Sequence, residues 1–391
     1  MVNSYQYEKL MIKLCAISTI EATLESFVIP AMRVFKERGC DVTLICTMSD
    51  RFIERYGKEF HCINVEMKRG ISLKDVLLKP IAFYKIFKKE KFDYVQYATT
   101  NASFYACVPA KICGIKTRVY CQWGLLYVGY EGIKRKVFKW IEKFLCKSAT
   151  HITVASKKNM EYAIEEGLMP AEKASVIGDG GTIGVDLGVF DYSRREEYKK
   201  EVLSEYPILQ GKTVYGYVGR IEKDKGIEEL LGAFLKMKIP DVALLLIGKF
   251  DELRSDIEPE LLRQARMAPN VIFHGFTREV PKYMSAMDIL VHPTYREGFS
   301  MVIQQAMAMG CAIITTDVPG PSEVIEEGVS GLLVPAHTVD ELSDTMERLG
   351  KDKTMQDNFS AAGLKRVKEK FERSRMLELT YENRLQMMNE K

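Results

Sequence analysis

The chain has 391 residues, of which 47% are hydrophobic and 28% are charged, and its formal net charge is +3. This length exceeds what one hydrophobic core usually serves, so two domains are expected. The composition excludes a disordered or fibrous chain, and the small net charge argues against a protein that binds nucleic acid.

The first half of the sequence alternates short apolar strands with helices. Strands are predicted at 13–18, 41–47, 94–97, 117–121 and 151–155, and helices at 26–38, 76–88 and 133–147. The second half repeats this scheme, with strands predicted at 213–218, 242–247, 271–273, 289–292 and 312–315, each followed by a helical pattern. Alternation of this kind predicts parallel sheets covered by helices.

The expected fold class is therefore α/β, with two Rossmann-like domains whose parallel sheets face each other across a cleft. Open parallel sheets bind ligands at the carboxyl ends of their strands, so a ligand is expected in that cleft. We expect the first domain at 1–190, a charged linker at 191–211, the second domain at 212–370 and a C-terminal helix at 371–391.

No segment of the sequence has the length and apolar character of a membrane span, because the longest uninterrupted apolar run is 242–247. The first residues lack a basic stretch followed by a sustained apolar one, so no signal peptide is expected. The nine cysteines are an odd number without zinc-site spacing, which is typical of free thiols in a reducing compartment. A cytoplasmic protein is expected.

The segment 293–310, PTYREGFSMVIQQAMAMG, places a carboxylate just before a predicted helix. Glu297 lies in a short loop, Gly298 follows it, and Gln305 comes eight residues after Glu297. Residues eight apart share one face of a helix, so both side chains could address one ligand. The free N–H groups at 299–301 and the helix dipole would attract a phosphate or the polar edge of a sugar.

A second segment, VYGYVGRIEKDKGIEELLGAF, predicts a strand, a loop and a helix. The loop carries Gly219, Arg220 and Lys225. Two fixed cations near the start of a helix can neutralise a leaving diphosphate, Arg through its planar fork and Lys as a point charge. Taken alone, a basic turn of this kind is more often an ordinary solvated loop.

Both segments resemble retaining glycosyltransferases of family 4. The first resembles the Glu-x7-Glu segment of that family, with Gln305 in place of the second Glu, and the Arg and Lys of the second correspond to residues that grip the donor diphosphate. A third stretch at 175–190, SVIGDGGTIGVDLGVF, is similar to the interdomain segment that ends in Gly-Val-Asp-x3-Phe. The resemblance implies the GT-B fold, with a C-terminal helix at 371–388 that crosses back onto the first domain.

The resemblance also assigns roles to residues. It implies that Glu297 contacts the transferred sugar, where a carboxylate orients and stabilises developing positive charge. Gln305 would meet the ribose with one acceptor oxygen and no charge, which weakens donor binding. The expected catalytic residues are Glu297, Arg220 and Lys225. The expected donor-binding residues are Gly219, Arg220, Lys225, Gly248, Glu297, Gly298, Phe299, Ser300, Met301 and Gln305.

On the acceptor side the sequence departs from the family. The loop after the first predicted strand, ISTIEATLESF, has no glycine, whereas many relatives place paired glycines there so that backbone can approach phosphate. Ser18 and Thr19 could offer hydroxyls to the acceptor instead. Trp123 stands where many relatives carry His, and it either stacks on an acceptor sugar or belongs to the core.

The predicted helix at 133–147, IKRKVFKWIEKFLCK, combines an apolar stripe with many cations. The stripe comprises Val137, Phe138, Ile141, Phe144 and Leu145. A helix docked on the sheet with a solvated basic face is the commoner meaning of this pattern. The cations beside Trp140 also suit an anionic membrane. Residues 1–190 carry 28 Lys and Arg against 20 Asp and Glu, a surplus of +8, so an anionic partner is expected on that side.

These observations predict a cytoplasmic retaining glycosyltransferase that is peripheral at the inner face of the membrane. The resemblance implies a UDP-hexose or UDP-N-acetylhexosamine donor and a glycan or polyprenyl-diphosphate-linked acceptor in bacterial capsule or lipopolysaccharide synthesis. No Asp-x-Asp occurs, so no metal-bridged donor site is expected, and no other cofactor is expected. Two alternatives stay open: a UDP-sugar 2-epimerase on the same fold, and an inactive sugar-nucleotide-binding module.

Overall fold

The structure, a computed structural model, describes residues 11–68, 70, 73–250 and 256–390. The first ten residues, on which the expectation of no signal peptide rests, lie outside this part of the chain. Among the described residues, no helix combines the length and the apolar character that crossing a bilayer requires.

The first domain is built on a seven-stranded sheet in which all neighbouring strands are parallel. Its strands are β1 (Lys13–Ile20), β2 (Asp41–Thr47), β3 (His61–Asn64), β4 (Tyr94–Ala98), β5 (Thr117–Gln122), β6 (His151–Val154) and β7 (Ala174–Val176). The strand order is β3-β2-β1-β4-β5-β6-β7, which reverses direction between β1 and β4 as in a Rossmann fold.

The second domain holds a six-stranded parallel sheet of the same kind. Its strands are β8 (Thr213–Val218), β9 (Val242–Ile247), β10 (Val271–Gly275), β11 (Ile289–His292), β12 (Ala312–Thr316) and β13 (Leu332–Val334). They lie in the order β10-β9-β8-β11-β12-β13. Every residue of β9 is buried, as expected for a central strand that is covered on both faces.

Helices cover both faces of both sheets. In the first domain they are α1 (Glu21–Phe27), α2 (Ile29–Glu37), α3 (Asp50–Tyr56), α4 (Leu73–Glu90), α5 (Thr100–Ile112), α6 (Gly132–Ser148) and α7 (Lys157–Glu165). Those that follow are α8 (Arg195–Glu205), α9 (Ile227–Lys236), α10 (Pro259–Met267), α11 (Val280–Ser285), α12 (Met301–Ala308), α13 (Pro321–Val324), α14 (Val339–Lys351), α15 (Lys353–Arg366) and α16 (Arg373–Asn389).

The helix predicted at 26–38 corresponds to α2, but α2 begins only at Ile29, and the residues before it belong to a separate helix, α1. Pro30 lies in the first turn of α2, where a residue without an N–H is tolerated. Val28 separates the two helices and donates its N–H to Leu24 O, which ends α1.

The segment 191–211, predicted as a linker, contains α8. Val202 of this helix is fully buried, and Arg195 donates to the carbonyl oxygens of Met287 and Met309 in the second domain. The segment therefore packs on the second domain as a helix with a charged outer face, a pattern that a search for strand periodicity does not detect. The remaining domain bounds stay predictions.

The apolar stripe predicted for α6 is also corrected. Leu145 is buried as expected, but Val137 is exposed, and the buried side of the helix includes Glu142 and Cys146. The carboxylate of Glu142 accepts hydrogen bonds from Tyr120 at 3.0 Å and from the Gln122 amide at 2.5 Å. Because β5 offers these polar partners, a glutamate faces the sheet and part of the apolar surface faces outward.

The last helix, α16, lies against the first domain. Glu378 pairs with Arg38, and the ring of Tyr381 lies 5.0 Å from that of Phe35 in α2. The buried Arg384 donates to Thr153 Oγ1 of β6 at 2.5 Å. The chain thus ends by joining the first domain to the second.

Candidate active site in the interdomain cleft

A cleft of about 420 Å³ opens between the two domains. Its walls come from α7 and from the loops that follow β5 in the first sheet and β8, β11 and β12 in the second. These loops lie at the carboxyl ends of the parallel strands, where open α/β sheets bind ligands. The volume is in the range of small-molecule sites.

Lys225 and Glu297 form an ion pair in this cleft. Lys225 Nζ is 2.5 Å from Glu297 Oε1. Burial by itself would raise the pKa of Glu297, but the charge of Lys225, the hydrogen bond from Lys225 and the other positive groups nearby together outweigh burial, and the pKa is lowered. Glu297 is therefore ionised at neutral pH. Its Oε2 has no hydrogen-bond partner within the described part of the chain, so this oxygen is free to accept from a ligand.

His292, the last residue of β11, lies beside this carboxylate. Its Nε2 lies 3.2 Å from Ser300 Oγ and 4.0 Å from Glu297 Oε1. Burial lowers the pKa of His292 to about 4, although Glu297 acts in the opposite direction. The imidazole is thus neutral near pH 7. The sequence analysis missed this residue, although its place at the end of a strand before the Glu297 loop was an available signal.

Arg220 lies in the cleft on the loop after β8. Its side chain is 59% exposed and forms an ion pair with Glu222, a second residue that the sequence analysis did not single out. Arg220 and Lys225 therefore lie in one cleft with Glu297, and each of the two cations is paired with a carboxylate of the chain.

Glycine permits the close approach of these loops. A Cβ on Gly226, whose φ is +70°, would lie 1.9 Å from Pro293 O, so the β8 loop can reach the β11 loop only without a side chain there. A Cβ on Gly298 would lie 2.0 Å from Trp123 O of the first domain. Backbone thus meets backbone across the cleft beside Glu297.

Two contacts between the domains hold the cleft together. Asn159 of α7 donates from Nδ2 to the carbonyl oxygens of Glu297 at 3.1 Å and Gly298 at 2.9 Å. Glu323 of the second domain accepts the N–H groups of Lys157 and Lys158, in the first turn of α7, at 2.8 and 3.1 Å. We call these the clasp. A carboxylate is favoured at this end of a helix.

The other residues expected to bind the donor lie around the cleft rather than in its wall. Ser300 caps α12 by accepting the N–H of Ile303, and Phe299 is buried with its ring 5.4 Å from that of Phe371. Met301 is the first residue of α12 and is half-buried. A Cβ on Gly248 would lie 1.7 Å from Gly219 O.

Gln305 is half-buried on the second turn of α12 and does not line the cleft. Because α12 begins at Met301, Glu297 lies outside the helix, and helical spacing does not fix the position of Glu297 relative to Gln305. The expectation that both share one helix face is therefore wrong. The ribose role of Gln305 stays a prediction.

On the first-domain side, only one of the expected acceptor residues lines the cleft. Ser18 is fully buried and its hydroxyl donates to Ile20 O, while the Thr19 hydroxyl shares a 2.6 Å hydrogen bond with that of Thr99. Neither hydroxyl is free, so the acceptor role of both stays a prediction without geometric support. Trp123 lines the cleft with part of its surface and packs on Phe27 with another, at 5.5 Å between ring centroids.

Comparisons with known proteins identify the family of the chain. Residues 199–366 match the family model "Glycosyl transferases group 1", and residues 13–156 match "Glycosyl transferase 4-like". The capsular polysaccharide biosynthesis glycosyltransferase CapM of Staphylococcus aureus is 29% identical over 349 residues, which are 88% of this chain and 90% of the relative.

A second relative is the UDP-Gal:alpha-D-GlcNAc-diphosphoundecaprenol alpha-1,3-galactosyltransferase of Escherichia coli, 25% identical over 81% of each chain. Among solved structures, Anabaena Alr3699/HepE in complex with UDP and glucose has a TM-score of 0.81 at 18% identity. The match covers 96% of this chain and 100% of the other, and it bears on the fold alone.

The two family models together span both domains, and the paired parallel sheets with a cleft between them are those of GT-B enzymes. The predicted family and fold class are confirmed. The chain belongs to the glycosyltransferases of GT-B fold, with a family-4-like first domain and a group 1 second domain.

Proposed function

We propose that the chain is a retaining glycosyltransferase that transfers a sugar from a UDP-linked donor to a glycan or polyprenyl-diphosphate-linked acceptor in bacterial surface polysaccharide synthesis. The observation that carries this proposal is the grouping of Arg220, Lys225 and the ionised Glu297 in one interdomain cleft. The two cations can hold the diphosphate and the carboxylate can hold the sugar, on either side of the glycosidic bond that breaks.

In this proposal Arg220 and Lys225 bind the diphosphate. The leaving group gains negative charge as the glycosidic bond breaks, and fixed cations in a partly enclosed cleft stabilise that charge more in the transition state than in the bound donor. Both cations would exchange a carboxylate of the chain for phosphate oxygens when the donor binds. Arg220 leaves Glu222, and Lys225 is shared between Glu297 and the donor.

Glu297 would orient the transferred sugar. Its Oε2 accepts from sugar hydroxyls, and its charge lies near the positive charge that develops at the anomeric carbon. The neutral His292 adds no positive charge that would oppose this. In a retaining reaction without an enzyme nucleophile, the acceptor hydroxyl attacks from the side that the diphosphate leaves, and the diphosphate oxygen takes its proton. This account needs no metal ion.

The curated relatives support the choice of donor and acceptor. The name of the Escherichia coli relative gives a UDP-linked donor and a diphosphoundecaprenol-linked acceptor, and that of the Staphylococcus aureus relative gives capsule synthesis. We extend a UDP donor and a lipid-linked acceptor to this chain. An acceptor of this kind lies in the membrane, and we propose that the enzyme is cytoplasmic and peripheral at the inner face of that membrane.

The basic charge of α6 supports that location. Lys136 and Lys143 are exposed and lie within 4 Å of no described carboxylate, whereas Lys139 is held by Glu166 at 2.6 Å. Exposed lysines of this kind attract anionic lipid. We therefore propose that the first domain meets the membrane.

One experiment tests the transfer reaction. The protein is incubated with UDP-sugars and a polyprenyl-diphosphate-linked sugar, UDP release is measured, and the anomeric configuration of the product is determined by NMR. The proposal predicts acceptor-dependent UDP release and the donor's own anomeric configuration in the product. Formation of an epimer from the UDP-sugar without an acceptor would instead identify a 2-epimerase, and an inverted product would exclude the retaining mechanism.

A further inference from the structure

Helix α6 carries an exposed apolar stripe on the side that faces away from the sheet. Ile133, Val137 and Trp140 are 81%, 41% and 61% exposed. Their spacing of four and then three residues places them on one face of the helix. Phe144 continues the same face and stacks on Trp140, with ring centroids 5.6 Å apart.

The stripe continues onto α5, and another exposed apolar residue lies before the start of α6. Phe104 of α5 lies 5.8 Å from Phe144 between ring centroids, and Val108 and Ile112 follow Phe104 at helical spacing with exposed side chains. At the other end, the short turn before α6 contains Val128, which is exposed and lines the cleft. A contiguous apolar surface of this kind on a monomer marks an interaction site.

Lysines flank this stripe on α6. Those that are exposed and lie within 4 Å of no carboxylate oxygen in the described ranges are Lys134, Lys136, Lys143 and Lys147. An apolar stripe bordered by lysines is the pattern of a helix that lies in the interface of an anionic bilayer, with the lysine ammonium groups at the headgroups. A second copy of this chain on the same face would instead bring two sets of unpaired lysines together, which is unfavourable.

We propose that the α6 stripe of Ile133, Val137 and Trp140 inserts into the acyl boundary of an anionic bilayer. Membrane binding then has an apolar component that salt does not remove, in addition to the attraction of the lysines. Through Val128, the stripe places the mouth of the cleft beside the lipid surface. The position of the cleft mouth matters only if the proposed function holds, since a polyprenyl-linked acceptor lies at the lipid surface. Insertion of the stripe does not depend on catalysis.

Tryptophan fluorescence reports the insertion directly, because the chain has only two tryptophans. In the Trp123→Phe variant, Trp140 is the single reporter. With vesicles of phosphatidylglycerol and phosphatidylcholine, the proposal predicts a blue shift of its emission and quenching by lipids brominated on the upper acyl chain. Sedimentation of the protein with the vesicles but no change in emission would show that the stripe stays outside the bilayer and would overturn the proposal.

Variants separate the apolar component from the charge. At ~0.5 M salt, where the Debye length is about 4 Å, the unmodified chain should still sediment with the vesicles. Replacing Ile133, Val137 and Trp140 together by Ser should lower the partition coefficient by about 100-fold, since three apolar side chains no longer leave water. The matched control is Phe276→Ser, which removes a side chain that is 71% exposed on the second domain, and it should sediment like the parent.

Two further outcomes would contradict the proposal. Equal partitioning of the triple variant and the parent would exclude the stripe as the contact. A parent dimer in gel filtration that the triple variant abolishes would identify a second copy of the chain as the occupant. Calorimetry with UDP is run on the same variants in solution. Loss of vesicle binding with unchanged UDP affinity separates failure at the membrane from failure at the donor site.

Discussion

The end of the first strand occupies the same place in two sheets of the same topology, but the two strand ends differ in the side chains that they bring to the cleft. At the end of β1, the hydroxyls of Ser18 and Thr19 are buried and bonded within the first domain, and α1 begins directly after the strand. After β8, Arg220 and Lys225 reach the interdomain cleft. A Rossmann switch point offers a position for a ligand, and of these two strand ends it is the segment after β8 that brings cations to that position.

The two domains differ again in their partly enclosed carboxylates. Glu297 of the second domain has Lys225 beside it, and its pKa is lowered. Glu142 of the first domain has the neutral partners Tyr120 and Gln122, and burial raises its pKa to about 7. The carboxylate in the candidate site is paired with a cation, whereas the buried carboxylate of the first domain joins α6 to β5 through neutral partners.

The largest expected effect tests the charged loop after β8. Arg220→Ala and Lys225→Ala should each lower turnover by about 10²–10³-fold, because each leaves the departing diphosphate without a fixed cation. Lys223→Ala is the matched control, since Lys223 lies on the same loop but is exposed and paired with Glu228 at 3.2 Å. Steady-state kinetics of UDP release decide the matter, and full turnover in both alanine variants would remove the diphosphate role.

The next effect concerns Glu142. The pKa of this carboxyl is raised from 4.5 to about 7 in the folded chain. Its contribution to the free energy of unfolding is therefore largest below the pKa of the unfolded chain and falls as the pH rises towards the pKa of the folded chain. The loss should reach about 3 kcal/mol above pH 7. Glu142→Gln removes the titration, so its thermal midpoint should exceed that of the parent by more at about pH 8 than at about pH 5. A constant difference would mean that Glu142 does not titrate in this range.

The membrane contact should depend on α6 and not on the second domain. Reversing Lys136 and Lys143 to Glu should weaken binding to anionic vesicles at low salt by about 2 kcal/mol or more, roughly 30-fold. Lys139 is left in place because it pairs with Glu166. Reversal of Lys353 and Lys365 on α15 changes the net charge equally and should leave binding unaltered. Liposome sedimentation measures both, and equal losses would mean that only net charge matters.

The smallest effect tests the ribose contact carried over from the family. Gln305→Glu should tighten UDP binding by about 1 kcal/mol, because hydrogen bonds to a charged acceptor exceed neutral ones by about that amount. Calorimetry with UDP provides the measurement, and Gln305→Ala serves as the matched loss of the same acceptor. If the Gln305→Glu and Gln305→Ala variants bind UDP equally, Gln305 has no part in the donor site. That result would agree with the position of Gln305 outside the cleft wall.

Local pattern was sufficient for the parts of the fold that repeat. Ten strands were predicted close to where they lie, because buried parallel strands are continuous apolar runs. The three missed strands, β3, β7 and β13, have only three or four residues and lie at or near sheet edges. Helix α8 was missed because, among its described residues, only Val202 is fully buried, and one apolar position among charged ones gives no helical pattern in the sequence.

Within the site, the residues found from the sequence are those on short motifs. Arg220, Lys225 and Glu297 stand in loops whose composition is recognisable, and the structure brings them into one cleft. Asn159 and Glu323 were missed because each acts on the opposite domain, through 138 or more residues of intervening chain. A hydrogen bond between a side chain and the backbone of a distant segment produces no periodic pattern or motif spacing, so a single sequence does not reveal it.

The clasp of Asn159 and Glu323 also bears on the timing of catalysis. When the domains part, Glu323 leaves two N–H groups of α7 and Asn159 loses two carbonyl partners. Hydrogen bonds to a charged group contribute about 1.5–3 kcal/mol each, so the cleft is expected to stay shut for much of the cycle. A nucleotide bound in the cleft would then leave only after a hinge movement that breaks the clasp, so raised solvent viscosity should slow its release.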